Sequence, residues 1–428
     1  MALKKYAFAA VFFLLSCQTV PPSSLPLANT RAFQGFSAPQ QAAPLRAYLG
    51  NLHSHTGFSD GVETPAKAYE MAKRTGMEFF AITEHNHSAA GGNDGIHLTP
   101  QLYEELKRTA QRYSQRGEFA ALYGQEFSTI SRGNHVNVFN ADTIIDVENG
   151  DFKTLYERWL PQHPEVPFIQ MNHPNYRADM GLEDKPQPAI FVQDEHGHEA
   201  AEEAGAVVAQ SSKQFNDYGY DDYQRSFQAL VQVSAPYIKT LEILNGPGTS
   251  QRPVGKAEAF HEEDFLFYLN EGFRVAPTAD QDNHFVTWGT LHTGRTGVLA
   301  NDLTPASLYD AIRRRRVFAT EDANTRVFFF ANNQPMGAEM PWNAQVQLTL
   351  NVQDGDEPQA AYLIQIFMDQ PGGRLAVPVR EVSLQPGQTE AALPLAIPAP
   401  GTFVFAKIIQ QNPGGVPDET WTAPIWFD

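Results

Sequence analysis

From Arg46 onward the chain alternates short apolar runs with amphipathic stretches, and the runs have the length and spacing of strands. The candidates are Ala47–Leu52, Glu78–Thr83, Phe119–Gly124, His135–Asn140, Pro167–Met171, Ile238–Leu244 and Phe273–Pro277. Helix-like segments separate them, which predicts a parallel α/β arrangement, with a (β/α) barrel as the expected form. The first helix is well punctuated: Thr64 can cap it, Pro65 suits its first turn, Ala66–Arg74 favour it and Gly76 stops it. Thr304-Pro305 opens another, which runs through Leu308 and Ile312 into Arg313–Arg316. Four arginines there suit the negative end of a helix dipole and are read as such rather than as a nucleic-acid patch.

The pattern changes twice. Ala178–Arg225 is an acidic insertion containing Tyr and Gln, expected to be an elaborated loop where a lid or substrate wall would lie. After Thr320 the runs Val327–Ala331, Val346–Val352, Tyr362–Met368, Leu375–Val379, Glu390–Leu395, Thr402–Ile409 and Thr422–Phe427 are separated by Gly, Pro, Asn and Asp. Short strands at that spacing without helices predict an all-β, immunoglobulin-like sandwich over 321–428, following a catalytic region over 46–320.

The N-terminus reads as an export signal over residues 1–17. Lys4 and Lys5 precede an apolar run, Tyr6–Leu15, too short to span a membrane as a mature helix. It ends in Leu14-Leu15-Ser16-Cys17, which resembles a bacterial lipobox, and Cys17 is the only cysteine, so no disulfide forms within one chain. The expectation is a lipoprotein, anchored to a membrane through a lipid on Cys17, with residues 18–45 as a flexible tether rich in Pro, Ser, Ala and Gln. The alternative is a plainly cleaved signal and a periplasmic or extracellular protein. Hydrophobic residues make up 42% of the chain, so most of it is expected to fold. A formal charge of −18 argues against duplex nucleic acid or an anionic membrane face as the main partner. A small-molecule substrate is the expected partner.

The candidate chemistry lies at the ends of the apolar runs. His53, His55, Asp60, His85, Glu126, His135, His173, Asp282 and His284 supply six imidazoles and three carboxylates and no thiolate. That mixture suits two or three divalent ions such as zinc, manganese or iron. The chain has 13 histidines, for which chance gives roughly 0.4 HxH pairs. Three occur: His53/His55, His85/His87 and His196/His198. Context separates them. Alternate residues on an extended strand end point the same way, so His53 and His55 can reach one centre. His85, Glu126, His173 and Asp282/His284 each follow an apolar run, whereas His135 begins one. In a parallel barrel all strand C-termini open onto one face, where such ligands would converge. His196 and His198, in the acidic insertion, are read as solvent-exposed, and His87 as facing substrate or supporting a ligand.

The segments His53-Ser54-His55-Thr56…Ser59-Asp60-Gly61, Ile82-Thr83-Glu84-His85-Asn86, Gly124-Gln125-Glu126, Gly133-Asn134-His135-Val136-Asn137, Asn172-His173-Pro174 and Asp282-Asn283-His284 resemble the PHP (polymerase and histidinol phosphatase) family. The resemblance covers about residues 48–320. It implies a distorted seven-stranded (β/α) barrel with a trinuclear metal centre that hydrolyses phosphoesters, and it implies all nine residues as ligands, Asp60 and His135 mainly on this ground. Two departures stand out: Glu84 where an Asp usually precedes the histidine, and Thr278-Ala279-Asp280-Gln281 in place of a small Gly-Ser lead-in. The exported, sandwich-tailed layout is similar to the carbaryl-hydrolase-like branch, whose implied chemistry is carbamate or ester cleavage.

The expected reaction is hydrolysis by a metal-activated water, on a phosphomono- or diester first, or on a carbamate, ester or amide. A non-catalytic surface binding protein is a third reading, against which the intact ligand set argues. His87 is a candidate acid, and Arg295 a candidate grip for an anionic substrate, with a surface or helix-pairing arginine as its alternative. Tyr123, Trp288, Glu242 and Asn245 are candidates for shaping or supporting the site.

Overall fold

Residues 79–82, Phe-Phe-Ala-Ile, show how the first region, up to residue 320, is layered. Strand periodicity sends Phe79 and Ala81 to one face of the sheet, and Phe80 and Ile82 to the other, where they join Ala68, Tyr69, Ala72, Tyr103 and Leu106 from two helices. The computed structural model describes residues 44–86, 98–127, 135–148, 150–175, 223–373, 376–411 and 415–428. The expected signal, nearly all of the tether, His87, His196, His198 and the insertion up to residue 222 lie outside them.

The strands of the first region are β1 (Arg46–Asn51), β2 (Phe79–His85), β3 (Ala120–Phe127), β4 (Val136–Phe139), β5 (Ile169–Met171), β6 (Ile238–Asn245), β7 (Ala259–Phe260), β8 (Ala276–Ala279), β9 (Arg295–Ala300) and β10 (Val317–Thr320). The described helices of eight or more residues are α1 (Pro65–Arg74), α2 (Pro100–Tyr113), α3 (Tyr223–Ser234), α4 (Glu262–Asn270) and α5 (Pro305–Arg313). Three of them start alike. Thr64, Thr99 and Thr304 each accept the backbone N–H three residues on, and each is followed by proline.

Each of the seven expected strands has a counterpart, but the sheet is mixed and is not a closed parallel barrel. β1–β2, β2–β3, β5–β6 and β6–β8 pair in parallel, whereas β3–β4, β4–β5 and β1–β9 are antiparallel. Among the described residues no backbone ladder joins β8 to β1 or β9. Side chains bridge that seam instead: the Thr296 hydroxyl of β9 accepts the Ala279 N–H of β8 at 2.9 Å. The other end of the curved sheet is stopped by α5, whose Leu308, Tyr309 and Ile312 pack with Phe79, Phe139 and Phe168.

The C-terminal region is strand-rich: β11 (Arg326–Ala331), β12 (Gln334–Pro335), β13 (Glu339–Met340), β14 (Gln345–Gln353), β15 (Ala361–Asp369), β16 (Val377–Leu384), β17 (Glu390–Ala396), β18 (Thr402–Gln411), β19 (Asp418–Thr422) and β20 (Ile425–Phe427). β14 alternates in the manner of a half-buried strand, with Val346, Leu348, Leu350 and Val352 inside and Gln345, Gln347 and Gln353 outside. The sheet β12-β11-β14-β17 faces β15 and β18 through one shared core. The large sheet also passes through the expected boundary after residue 320, because β10 pairs with β9 on one side and β19 on the other. The arginine run divides. Arg313 and Arg314 pair with Asp310 on the exposed surface. Arg315, past the helix end, is buried against the Trp426 ring and paired with Glu339.

Candidate metal centre

The local fold brings all nine expected ligands to one rim. β1 ends at Asn51 and the chain stays extended, so His53 and His55 point inward while the Ser54 hydroxyl turns away to the Ala81 carbonyl at 2.6 Å. His85 is the last residue of β2 and stands opposite Glu126 of β3. His173 lies two residues beyond β5, and Asp282 and His284 lie just beyond β8. His135 precedes its strand because β4 runs antiparallel to β3 and β5, which puts the start of β4 on the rim where their C-termini emerge. Asp60 sits on the loop after β1. That loop is anchored to buried Glu84, which accepts the Thr56 N–H at 3.0 Å and the hydroxyls of Thr56 and Ser59.

Glu126 is the hub. Its oxygens lie 3.3 Å from His53 Nε2, 3.2 Å from His55 Nε2, 3.1 Å from His85 Nδ1, 3.1 Å from His135 Nδ1 and 3.4 Å from His173 Nε2. Asp282 Oδ1 stands 3.2 Å from both His53 Nε2 and His55 Nε2. Asp60 reaches His284 Nε2 at 3.3 Å and His85 Nε2 at 3.5 Å. Three overlapping donor sets result: His55, Asp60, His85 and His284; His53, His55, Glu126 and Asp282; and His85, Glu126 and His135. Two observations fit divalent ions there. His53 Nε2 and His55 Nε2 face each other at 3.2 Å among carboxylate oxygens, and His55 Nδ1 is buried with no hydrogen-bond partner. Imidazole and carboxylate with no thiolate suit zinc, manganese or iron.

Protons balance the cluster electrostatically. Burial works against charge on His53, but Asp282, Glu126 and Glu242 outweigh it and raise its pKa well above the ordinary value. Burial likewise opposes charge on His55, and its bonds to Asp282 and Glu126 still push it up to about 10. For His85 burial prevails and the pKa falls to about 4. Glu126 and Asp60 stay well below the usual carboxylate range despite burial, held there by the surrounding imidazoles. A cation entering this cluster therefore displaces protons from imidazole.

Buried groups beneath the rim orient the ligands. Glu242 lies 2.7 Å from His53 Nδ1, so that nitrogen carries the hydrogen and Nε2 faces the cluster. The same carboxylate accepts the His173 N–H at 2.6 Å and the Asn245 amide at 2.7 Å. Asn172 donates to Glu126 at 2.9 Å. The Trp288 indole N–H is shared between the His55 and Asn283 carbonyls at 3.2 and 3.3 Å, tying two ligand segments together. A side chain at Gly248 would strike the Asp282 carbonyl at 2.0 Å, and this close approach lets the Gly248 carbonyl accept the His284 N–H. His173 and Asp282 hold φ of +26° and +48°, strained for residues other than glycine. Glu242 and Asn245 were legible as polar residues at a strand end. Gln170 carried no distinguishing signal, Asn172 stood out only as part of the Asn172-His173-Pro174 segment, and Asp280 only as a departure from the family pattern.

Arg295, the candidate grip for an anionic substrate, faces backbone carbonyls. It is buried, and its guanidinium donates to the carbonyls of His292, Thr293, Gly294 and Gly289 at 2.8–3.1 Å. Burial pulls its pKa down to about 10. With these bonds it braces the chain entering β9. Tyr123 is placed away from the ligands, bonded to Asn140 at 3.1 Å and edge-on to Tyr103.

Among solved structures, the chain resembles a two-domain protein from Bacteroides vulgatus containing a predicted PHP-like metal-dependent phosphoesterase. Identity is 15%, covering 88% of this chain and 95% of that one, with a TM-score of 0.43. A protein from Bifidobacterium adolescentis, described as a metal-dependent phosphoesterase, matches at 16% identity over 55% of this chain and 87% of its own, with a TM-score of 0.26. No curated protein matches. The family model described as the PHP domain matches residues 51–243, a span that holds seven of the nine clustered residues, His53 to His173. Residues 51–243 of the chain thus match a PHP domain.

Proposed function

We propose that this protein is a metal-dependent hydrolase, with phosphomono- or diesters as its preferred substrates. One observation carries the reading: a buried carboxylate, Glu126, stands within 3.4 Å of five imidazoles and belongs to two of three overlapping donor sets. The nine residues would hold two or three ions, with His55, Glu126 and His85 each shared between two sets. Bound divalent ions would supply an acidified water and offset negative charge forming on the substrate. The chain's own part is positional. Glu242 and Asn172 aim His53 and Glu126, Glu84 holds the Asp60 loop, and Trp288 locks the His55 and Asn283 segments together.

The placement of Arg295 favours a second reading, hydrolysis of carbamates, esters or amides at the same centre. That arginine was the sequence feature favouring an anionic substrate, and its donors serve backbone carbonyls. For location we propose export with a lipid on Cys17. A Cys17→Ser protein still wholly in the membrane fraction would count against it.

The decisive experiment loads purified protein with zinc, manganese or iron, measures metal per chain, and assays aryl phosphates, phosphodiesters, aryl carbamates and esters. More than one metal per chain, with activity lost in His53→Ala, is the expected result. Less than one metal per chain, or full activity in His53→Ala, would falsify the reading. Activity on carbamates with none on phosphoesters would move the assignment to the second class.

A further inference from the structure

The seam between β8 and β1 is where the sheet lacks a backbone ladder, and a buried carboxylate outside the nine-residue set occupies it. Asp280 is fully buried. Its Oδ1 accepts the Leu52 N–H at 2.6 Å and lies 3.0 Å from the Thr296 hydroxyl; its Oδ2 accepts the Gln170 amide at 3.0 Å. Nearby, Asn51 Oδ1 accepts the Gln281 N–H at 2.7 Å. Backbone pairing resumes only at the ligand residues, where the Asp282 N–H meets the His53 carbonyl and the His55 N–H meets the Asn283 carbonyl. The register between the two ligand-bearing segments is thus set by side chains, with the Asp280 carboxylate taking the place of a strand carbonyl.

Two short paths lead from Asp280 to the cluster. One runs through the Leu52 N–H, one peptide unit before His53. The other runs through Gln170 Nε2, which also lies 3.3 Å from Asn172 Oδ1 and 3.5 Å from Glu242 Oε1. Asn172 in turn donates to Glu126, and Glu242 holds His53 Nδ1. A buried carboxylate is expensive to keep unless strong hydrogen bonds hold it. We propose that Asp280 is a positioning residue that closes the β8–β1 seam and sets the geometry of His53 and Glu126 at the metal centre. This rests on the metal-centre reading but not on any substrate class.

Asp280→Asn tests it. Asparagine can still accept from Leu52, but its amide faces the Gln170 amide, donor against donor, so the path to Asn172 and Glu242 breaks while the shape is kept. The readouts are the visible spectrum of the cobalt-loaded protein, cobalt affinity by chelator competition, and the metal-free unfolding midpoint. The expected result is an altered cobalt spectrum and a 10- to 100-fold weaker affinity, the range for residues that orient metal ligands. Gln170→Met, which leaves the Leu52 bond alone, should shift the spectrum in the same direction, and it decides the matter where Asp280→Asn does not fold. An unchanged spectrum and affinity in the folded variant overturns the proposal, whatever happens to stability. Wild-type protein that binds no cobalt overturns the metal-centre reading and this proposal together; cobalt binding without phosphoesterase activity leaves this one standing.

Discussion

His292 gives a prediction that needs neither metal nor substrate. Its ring is 2% exposed, with Nε2 donating to the Asp280 carbonyl at 3.1 Å and Nδ1 buried without a partner. Burial, joined by the nearby Arg295 guanidinium, lowers its pKa from 6.5 to about 4. In the folded protein the imidazole stays neutral under conditions where the unfolded chain takes up a proton. The contribution is therefore fully present above pH 6.5 and is lost as pH falls toward 4. Integrating between those values gives about 2.5 kcal/mol of destabilisation at pH 4.5 relative to pH 7.5, at 1.36 kcal/mol per pKa unit. Other groups titrate in that window, so the measured quantity is a difference between two proteins. His292→Gln keeps a donor for the Asp280 carbonyl and cannot ionise. Urea unfolding in EDTA, at pH 7.5 and 4.5, should show the wild-type protein losing about 2.5 kcal/mol more than the variant. Equal losses, within about 0.5 kcal/mol, would refute the buried neutral imidazole.

Glu242→Gln keeps the volume beneath His53 but removes the charge that four N–H donors face; metal affinity by chelator competition should fall 10- to 100-fold. Arg295→Met leaves buried carbonyls without donors, and unfolding should register a loss of about 2–4 kcal/mol while turnover of the folded enzyme changes less than about threefold. Since His53 and His55 sit above their ordinary pKa in the metal-free cluster, metal binding should release protons; calorimetry in buffers of different ionisation enthalpy should show it, with affinity rising from pH 6 to 8. Leu350→Ala opens a cavity between the two C-terminal sheets and should lower stability by about 2–5 kcal/mol without changing metal content.

Much of the site was legible because its chemistry is local. An HxH at a strand exit declares a shared direction, and carboxylates following apolar runs declare a rim. Helix starts were legible for the same reason: Thr64-Pro65 and Thr304-Pro305 carry cap and first turn within two residues. The direction of β4 was not legible, since four residues of alternating character read the same in either sense. His135 therefore looked misplaced until pairing with β3 and β5 put its end of the strand on the rim. The surroundings of Arg295 were illegible for a related reason. An arginine beside glycines reads equally as an anion grip or as a surface or helix-pairing residue, and only the fold supplies the four carbonyls it meets.

By itself the sequence determined the inventory of candidate ligands, the strands and capped helices that carry it, and the change to a strand-rich region after residue 320, because each is written in neighbouring residues. The tertiary structure alone decided which strands run antiparallel, that the sheet stays open and is bridged at β8–β1 by Asp280 and Thr296, and that Glu126 is the hub of the cluster. Those outcomes depend on contacts between residues far apart in the chain, such as Leu52 with Asp280, which no local pattern encodes.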